Sequence, residues 1–131
     1  MVNPKQSLTV LVIDDEALLR WSIAEILRQG GHTVIEARSA DNARDAMSRA
    51  LEPIDVVLLD YHLPDSHDLR LLEEVRHRLP QSAVVLMTAF GTPEVMEEAT
   101  EQGAYCVLSK PFDMRSLEGL ITNAYRASRY H

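Results

Sequence analysis

Apolar residues gather along this chain into five short runs: LTVLVI (8–13), TVIEA (33–37), VVLL (56–59), AVVLM (83–87) and YCVLS (105–109). The first, third and fourth are nearly continuous in apolarity and rich in β-branched residues. Strands covered on both faces of a parallel sheet read this way. The second and fifth are more polar and fit its edges.

Between the runs the apolar period lengthens to that of a helix. Leu19, Ile23, Ile26 and Leu27 fall on one face of a helix over 17–29 that Gly30-Gly31 stops. Residues 39–50 place Ala43, Ala46, Met47 and Ala50 on one side behind a Ser39 cap, and residues 69–78 carry Leu72 and Val75, with Leu79 and Pro80 ending them. Thr92-Pro93 opens a helix to about 102 that Gly103 terminates, and Asp113 is expected to cap a last helix to about 127. Strands and helices alternate strictly, five of each. Right-handed crossovers then predict an α/β, doubly wound parallel sheet with helices on both faces. The whole chain, 1–131, reads as a single domain with a core of about 8–127.

In such a sheet, ligands bind outside the carboxyl ends of the strands. The residues just past each run are Asp14, Asp15 and Glu16 after strand one, Asp60 after strand three, Thr88 after strand four and Lys110-Pro111 after strand five. Singly, each reads as a cap, a turn or a solvated loop residue. Together they place three carboxylates, a hydroxyl and an ammonium on one rim. Two carboxylates on adjacent strands roughly 5 Å apart repel by roughly 3 kcal/mol at an effective dielectric near 20. Such a cluster wants a proton or a cation, and all-oxygen ligands favour Mg²⁺ or Mn²⁺ over zinc. A carboxylate beside a divalent cation, a lysine and a hydroxyl is suited to accept a phosphoryl group. No phosphate-cradling glycine loop is present, which disfavours nucleotide binding.

Composition narrows the classes. A formal charge of −7 over 131 residues argues against direct nucleic-acid binding. No apolar run approaches membrane-spanning length and MVNPKQS lacks a signal-peptide pattern, so a cytoplasmic protein is expected. The single cysteine, Cys106, reads as an apolar strand residue.

VLVIDDE (10–16), VVLLDYHLP (56–64), VVLMTAF (84–90) and VLSKPFD (107–113) together resemble the receiver domain of two-component response regulators, CheY-like. The wording MTAF…SKPFD is similar to receivers of σ54-dependent transcription activators of the NtrC type. The resemblance implies a flavodoxin-like (βα)₅ fold with strand order 2-1-3-4-5. It implies that Asp60 is the phosphoacceptor and that Asp15, Asp60 and the backbone carbonyl of His62 bind Mg²⁺, with Asp14 acting through water. Lys110 would pair with the phosphoryl oxygens, and its bond to Pro111 would be cis. Thr88 would donate its hydroxyl and carry the state to the face of helix 4, strand 5 and helix 5. The implied partners are a sensor histidine kinase or phosphotransfer protein and an output effector domain or partner protein, with homodimerisation as one route. The domain itself would be a signalling phosphoacceptor, not an enzyme on other substrates.

Two positions depart from the family pattern. Asp68 stands where the family has glycine, and Val107 stands where it has Tyr or Phe, the partner of the switch threonine; Tyr105 is expected to face the other side or outward. His62 and His67 with Asp65 and Asp68 also compose a transition-metal site on paper, against which His62 gives only its carbonyl and a side chain in solvent. Phe90 and the His62 side chain fall where the family tunes water access. Trp21 lies off the apolar helix face, as a kinase contact or a partly buried residue. Two further functions stay open: a receiver-like interaction module working without phosphorylation, and a haloacid-dehalogenase-like phosphatase. The second family needs an aspartate where this chain has His62.

Overall fold

The computed structural model describes residues 6–66 and 69–129. The apolar runs become β1 (Thr9–Ile13), β2 (Thr33–Ala37), β3 (Val56–Asp60), β4 (Ala83–Thr88) and β5 (Cys106–Ser109). All pair in parallel in the order β2-β1-β3-β4-β5, so the two more polar strands are the edges. The intervening helices are α1 (Ala17–Gln29), α2 (Ala40–Arg49), α3 (Arg70–Arg78), α4 (Pro93–Glu101) and α5 (Leu117–Arg129). None of the described helices is long and apolar enough to cross a membrane.

Alternation along the strands splits the core into two layers. Leu11, Ile13, Val57, Leu59, Val84 and Leu86 face α2, α3 and α4, meeting Ala43, Met47, Leu72, Val75 and Ala99. Val10, Val12, Val56, Leu58, Val85 and Met87 face α1 and α5, meeting Ile23, Leu27, Leu117 and Ile121. Each fully buried aliphatic side chain contributes about 1.5–3 kcal/mol, which fixes the register of the central strands.

Local chemistry sets the helix ends. Ser39 Oγ accepts the Asn42 N–H at 3.0 Å, and Thr92 Oγ1 accepts the Val95 N–H at 3.2 Å ahead of Pro93. Gly103 stands at φ 98°, where a Cβ would lie 2.8 Å from Arg76 Nε. One boundary differs from expectation. Asp113 caps a 3₁₀ turn, Met114–Ser116, that feeds into α5 instead of capping α5 directly. Its carboxylate is shared between the Arg115 N–H and the Arg115 guanidinium, which tightens that first turn.

A buried histidine ties the two ends of one layer together. His32 Nδ1 accepts the Leu8 N–H at 3.0 Å, which leaves the ring proton on Nε2, 2.9 Å from Glu118 of α5. The turn after α1 is thereby fastened to both β1 and α5.

Candidate functional site

The register brings the polar residues to one edge. Ile13 pairs with Leu59, Asp60 with Met87 and Thr88 with Ser109, so Asp14, Asp60, Thr88 and Lys110 all arrive at the carboxyl ends of the strands. Asp60 and Thr88 are the last residues of β3 and β4 rather than the first loop residues after them. Asp14, Asp60 and Thr88 are buried, whereas Asp15 is exposed at the mouth of the site.

Asp14, Asp15 and Asp60 each offer a carboxylate oxygen, all within 4.8 Å of one another. Lys110 Nζ lies 2.8 Å from Asp14 Oδ2, 3.0 Å from Glu16 Oε1 and 3.4 Å from Asp60 Oδ1. The remaining oxygen of Asp14 accepts the Glu16 N–H at 2.9 Å, and Asp60 Oδ1 accepts the His62 N–H at 3.2 Å. Burial, and after it the charge of Asp14, push the Asp60 carboxyl up to about 7 against the opposing pull of Lys110. Burial lowers Lys110, but its hydrogen bonds to Asp14 and Glu16 outweigh that and raise it above its ordinary value. The cluster is thus short of positive charge even with the lysine in place. Its all-oxygen donors, one open to solvent, fit a hard divalent cation.

Thr88 Oγ1 accepts the Phe90 N–H at 3.2 Å, and the Lys110 N–H donates to the Thr88 carbonyl at 2.8 Å. The Lys110-Pro111 bond is cis. His62 is exposed and its ring meets Tyr61 edge-on with centroids 4.8 Å apart. Phe90 is 78% exposed beside the site. On β5, Val107 pairs with Leu86 on the face that Thr88 shares, while Tyr105 lies before the strand and is 42% exposed. Trp21 and Leu18 stand exposed on α1, and an apolar groove beside Lys110 is lined by Leu19, Pro111, Phe112 and Met114.

Asp65 does other work than a metal ligand's. Its two carboxylate oxygens accept the N–H groups of Ala40 at 2.7 Å and Asp41 at 2.9 Å, capping α2 from the loop after β3. Slight burial raises its carboxyl, but these two bonds outweigh that and hold it below the usual range. His67 and Asp68 lie outside the described residues. Sequence reasoning also missed Glu16 as a lysine partner and Arg20, which donates to the Asp14 carbonyl at 2.8 Å and to Glu36 at 3.2 Å. Nothing in DDE or in LPDS marks the Glu16–Lys110 and Asp65–Ala40 pairings, because those partners are distant in the chain.

A family model described as the response regulator receiver domain matches residues 10–122. Response regulator protein PilR of Pseudomonas aeruginosa is 36% identical over 117 residues, 88% of this chain and 26% of that protein. DNA-binding transcriptional regulator NtrC of Klebsiella pneumoniae is 30% identical over 113 residues, 86% of this chain and 24% of that protein. The chain therefore spans about a quarter of the length of these relatives. A crystal structure of a CheY-like receiver domain protein from Methanospirillum hungatei JF-1 superposes with a TM-score of 0.86 at 22% identity, covering 95% of this chain and 98% of that one.

Proposed function

Because the chain belongs to the response regulator receiver domain family of two-component signalling, we propose that it is a phosphoacceptor, with Asp60 taking a phosphoryl group from a phosphohistidine of a sensor histidine kinase or phosphotransfer protein. One observation carries this reading: a buried carboxylate at the end of a central strand, 3.4 Å from a lysine ammonium and within 4.8 Å of two further carboxylates.

An Asp60 oxygen attacks phosphorus, the phosphorus–nitrogen bond breaks and its electron pair stays on the imidazole nitrogen. The product is an acyl phosphate on Asp60. The His62 N–H holds one Asp60 oxygen in place, leaving the other to attack. Lys110 neutralises phosphoryl oxygens from the side of Asp14. Asp15, Asp60 and the His62 backbone carbonyl would hold Mg²⁺ or Mn²⁺, with Asp14 acting through water; when bound, the ion neutralises charge on the phosphoryl group.

Thr88 links the site to the output. Its oxygen accepts from Phe90 while its own proton remains to donate to a phosphoryl oxygen. A pull on that hydroxyl is therefore a pull on the loop between β4 and α4. With Val107 on β5, the change passes to the face of α4, β5 and α5 through this loop and not through an aromatic partner on that strand.

Residues 1–131 form one receiver unit that catalyses its own phosphorylation and slow dephosphorylation, and it works in the cytoplasm. The groove beside Lys110 and exposed Trp21 suit the docking kinase. The output is transcription regulation through an effector domain or partner protein, with homodimerisation as a means. The net charge of −7 argues against nucleic-acid contact by this domain itself. Intact-mass measurement after incubation with a small phosphodonor and Mg²⁺ tests the reading. One added phosphoryl group is expected, absent from Asp60→Asn.

A further inference from the structure

Lys110 Nζ donates to Asp14 at 2.8 Å and to Glu16 at 3.0 Å, and Asp60 Oδ1 stands 3.4 Å away as an ion-pair partner. A phosphoryl oxygen arriving at this ammonium competes with these carboxylates for its N–H groups. Asp14 is fully buried and its other oxygen is spent on the Glu16 N–H, so it stays. Asp60 is the group being modified. Glu16 remains: its side chain is 61% exposed and makes no capping bond to α1, so water takes it up readily.

We propose that Glu16 is a placeholder for the phosphoryl group, an anionic side chain that occupies Lys110 in the resting site and must leave when Asp60 is modified. The proposal rests on Asp60 as phosphoacceptor and adds a positioning residue to that reaction. Glu16 does two things at once. It keeps Lys110 aimed into the site while no phosphoryl group is there. It also sets a barrier to phosphorylation, because its charge repels an anionic donor and its oxygen competes for the same N–H. On release, the carboxylate swings to solvent at the start of α1, beside the groove of Leu19 and Phe112, and changes the charge on that surface.

The test compares wild type with Glu16→Gln and Glu16→Ala at saturating Mg²⁺. Two quantities are read: the phosphorylation rate with acetyl phosphate, and the affinity for beryllofluoride, which mimics the phosphoryl group without reaction. The placeholder predicts roughly three- to tenfold gains in both for Glu16→Ala, with Glu16→Gln between it and wild type, since glutamine still accepts from Lys110 but repels no anion. Unchanged or lowered values in both variants, with Asp60→Asn unlabelled, overturn the placeholder and leave the acceptor reading standing. A wild type that takes neither label nor beryllofluoride overturns both. Thermal melting of the metal-free variants accompanies the test, and melting close to wild type is expected because Glu16 is exposed.

Discussion

Lys110 Nζ stands 2.8 Å from Asp14 Oδ2 and so joins the end of β5 to the end of β1, strands that β3 and β4 separate in the sheet. The lysine is 11% exposed and the aspartate fully buried. The pair joins the two ends of the rim, and the lysine supplies positive charge to the carboxylates that share it.

Removing that charge has a predictable cost. Lys110→Met leaves Asp14 buried and uncompensated, and the metal-free protein is expected to lose about 3 kcal/mol of stability. Mg²⁺ should restore more stability to this variant than it adds to wild type. Urea denaturation with and without Mg²⁺ checks both, and equal gains in the two proteins would count against the shared-charge account.

The raised Asp60 carboxyl makes stability depend on pH. A carboxyl that titrates near 7 folded and 3.8 unfolded binds its proton more tightly in the native state. Its contribution is whole below the unfolded value and is lost as pH rises through the folded one. Between about pH 4 and 7 metal-free Asp60→Asn should therefore gain on wild type, by on the order of a few kcal/mol in total. Mg²⁺, which favours the carboxylate, should shrink that gain. Denaturation midpoints of both proteins across the range read it directly.

Asp65 is a structural clamp between the loop after β3 and α2. Asp65→Ala removes both acceptors from the Ala40 and Asp41 N–H groups and is expected to cost about 1–2 kcal/mol, with Asp65→Asn costing less. Thermal melting ranks the three proteins. A loss confined to the described clamp should also raise hydrogen exchange at the start of α2 before other helices.

How far the chain announces this arrangement depends on the reach of each interaction. VVLL ending in Asp60 is a local signal, and so is the apolar run before Asp14; periodicity and topology alone carry both to the same edge. Thr88 and Lys110 follow by the same rule. The roles of Glu16 and Asp65 do not, since one answers to a lysine on β5 and the other to amides of α2. His32 looks like an ordinary turn residue and is in fact the link from Leu8 to Glu118. Asp113 reads as a helix cap, and the turn it caps is 3₁₀, closed by the Ser116 N–H on the Asp113 carbonyl at 3.0 Å. Of the histidine and aspartate set, Asp65 gives its two oxygens to the Ala40 and Asp41 amides, and His67 and Asp68 lie outside the described residues.

Thr88→Ala deletes the acceptor for the Phe90 N–H and is expected to cost roughly 1 kcal/mol. The larger effect should fall on signalling. Amide shifts of α4 should respond to beryllofluoride in wild type and respond less in the variant, while binding at Asp60 persists. Equal responses would place the transmission elsewhere than the loop after β4.

The central claim is that the phosphoryl group sits on Asp60. Acyl phosphates are reduced by borohydride, so treatment of the phosphorylated chain followed by peptide mass mapping locates the bond. The account predicts homoserine at position 60, dependent on Mg²⁺ and absent from Asp60→Asn. Reduction at Asp14 or Asp15, or label on a residue that survives the Asp60→Asn change, would contradict it.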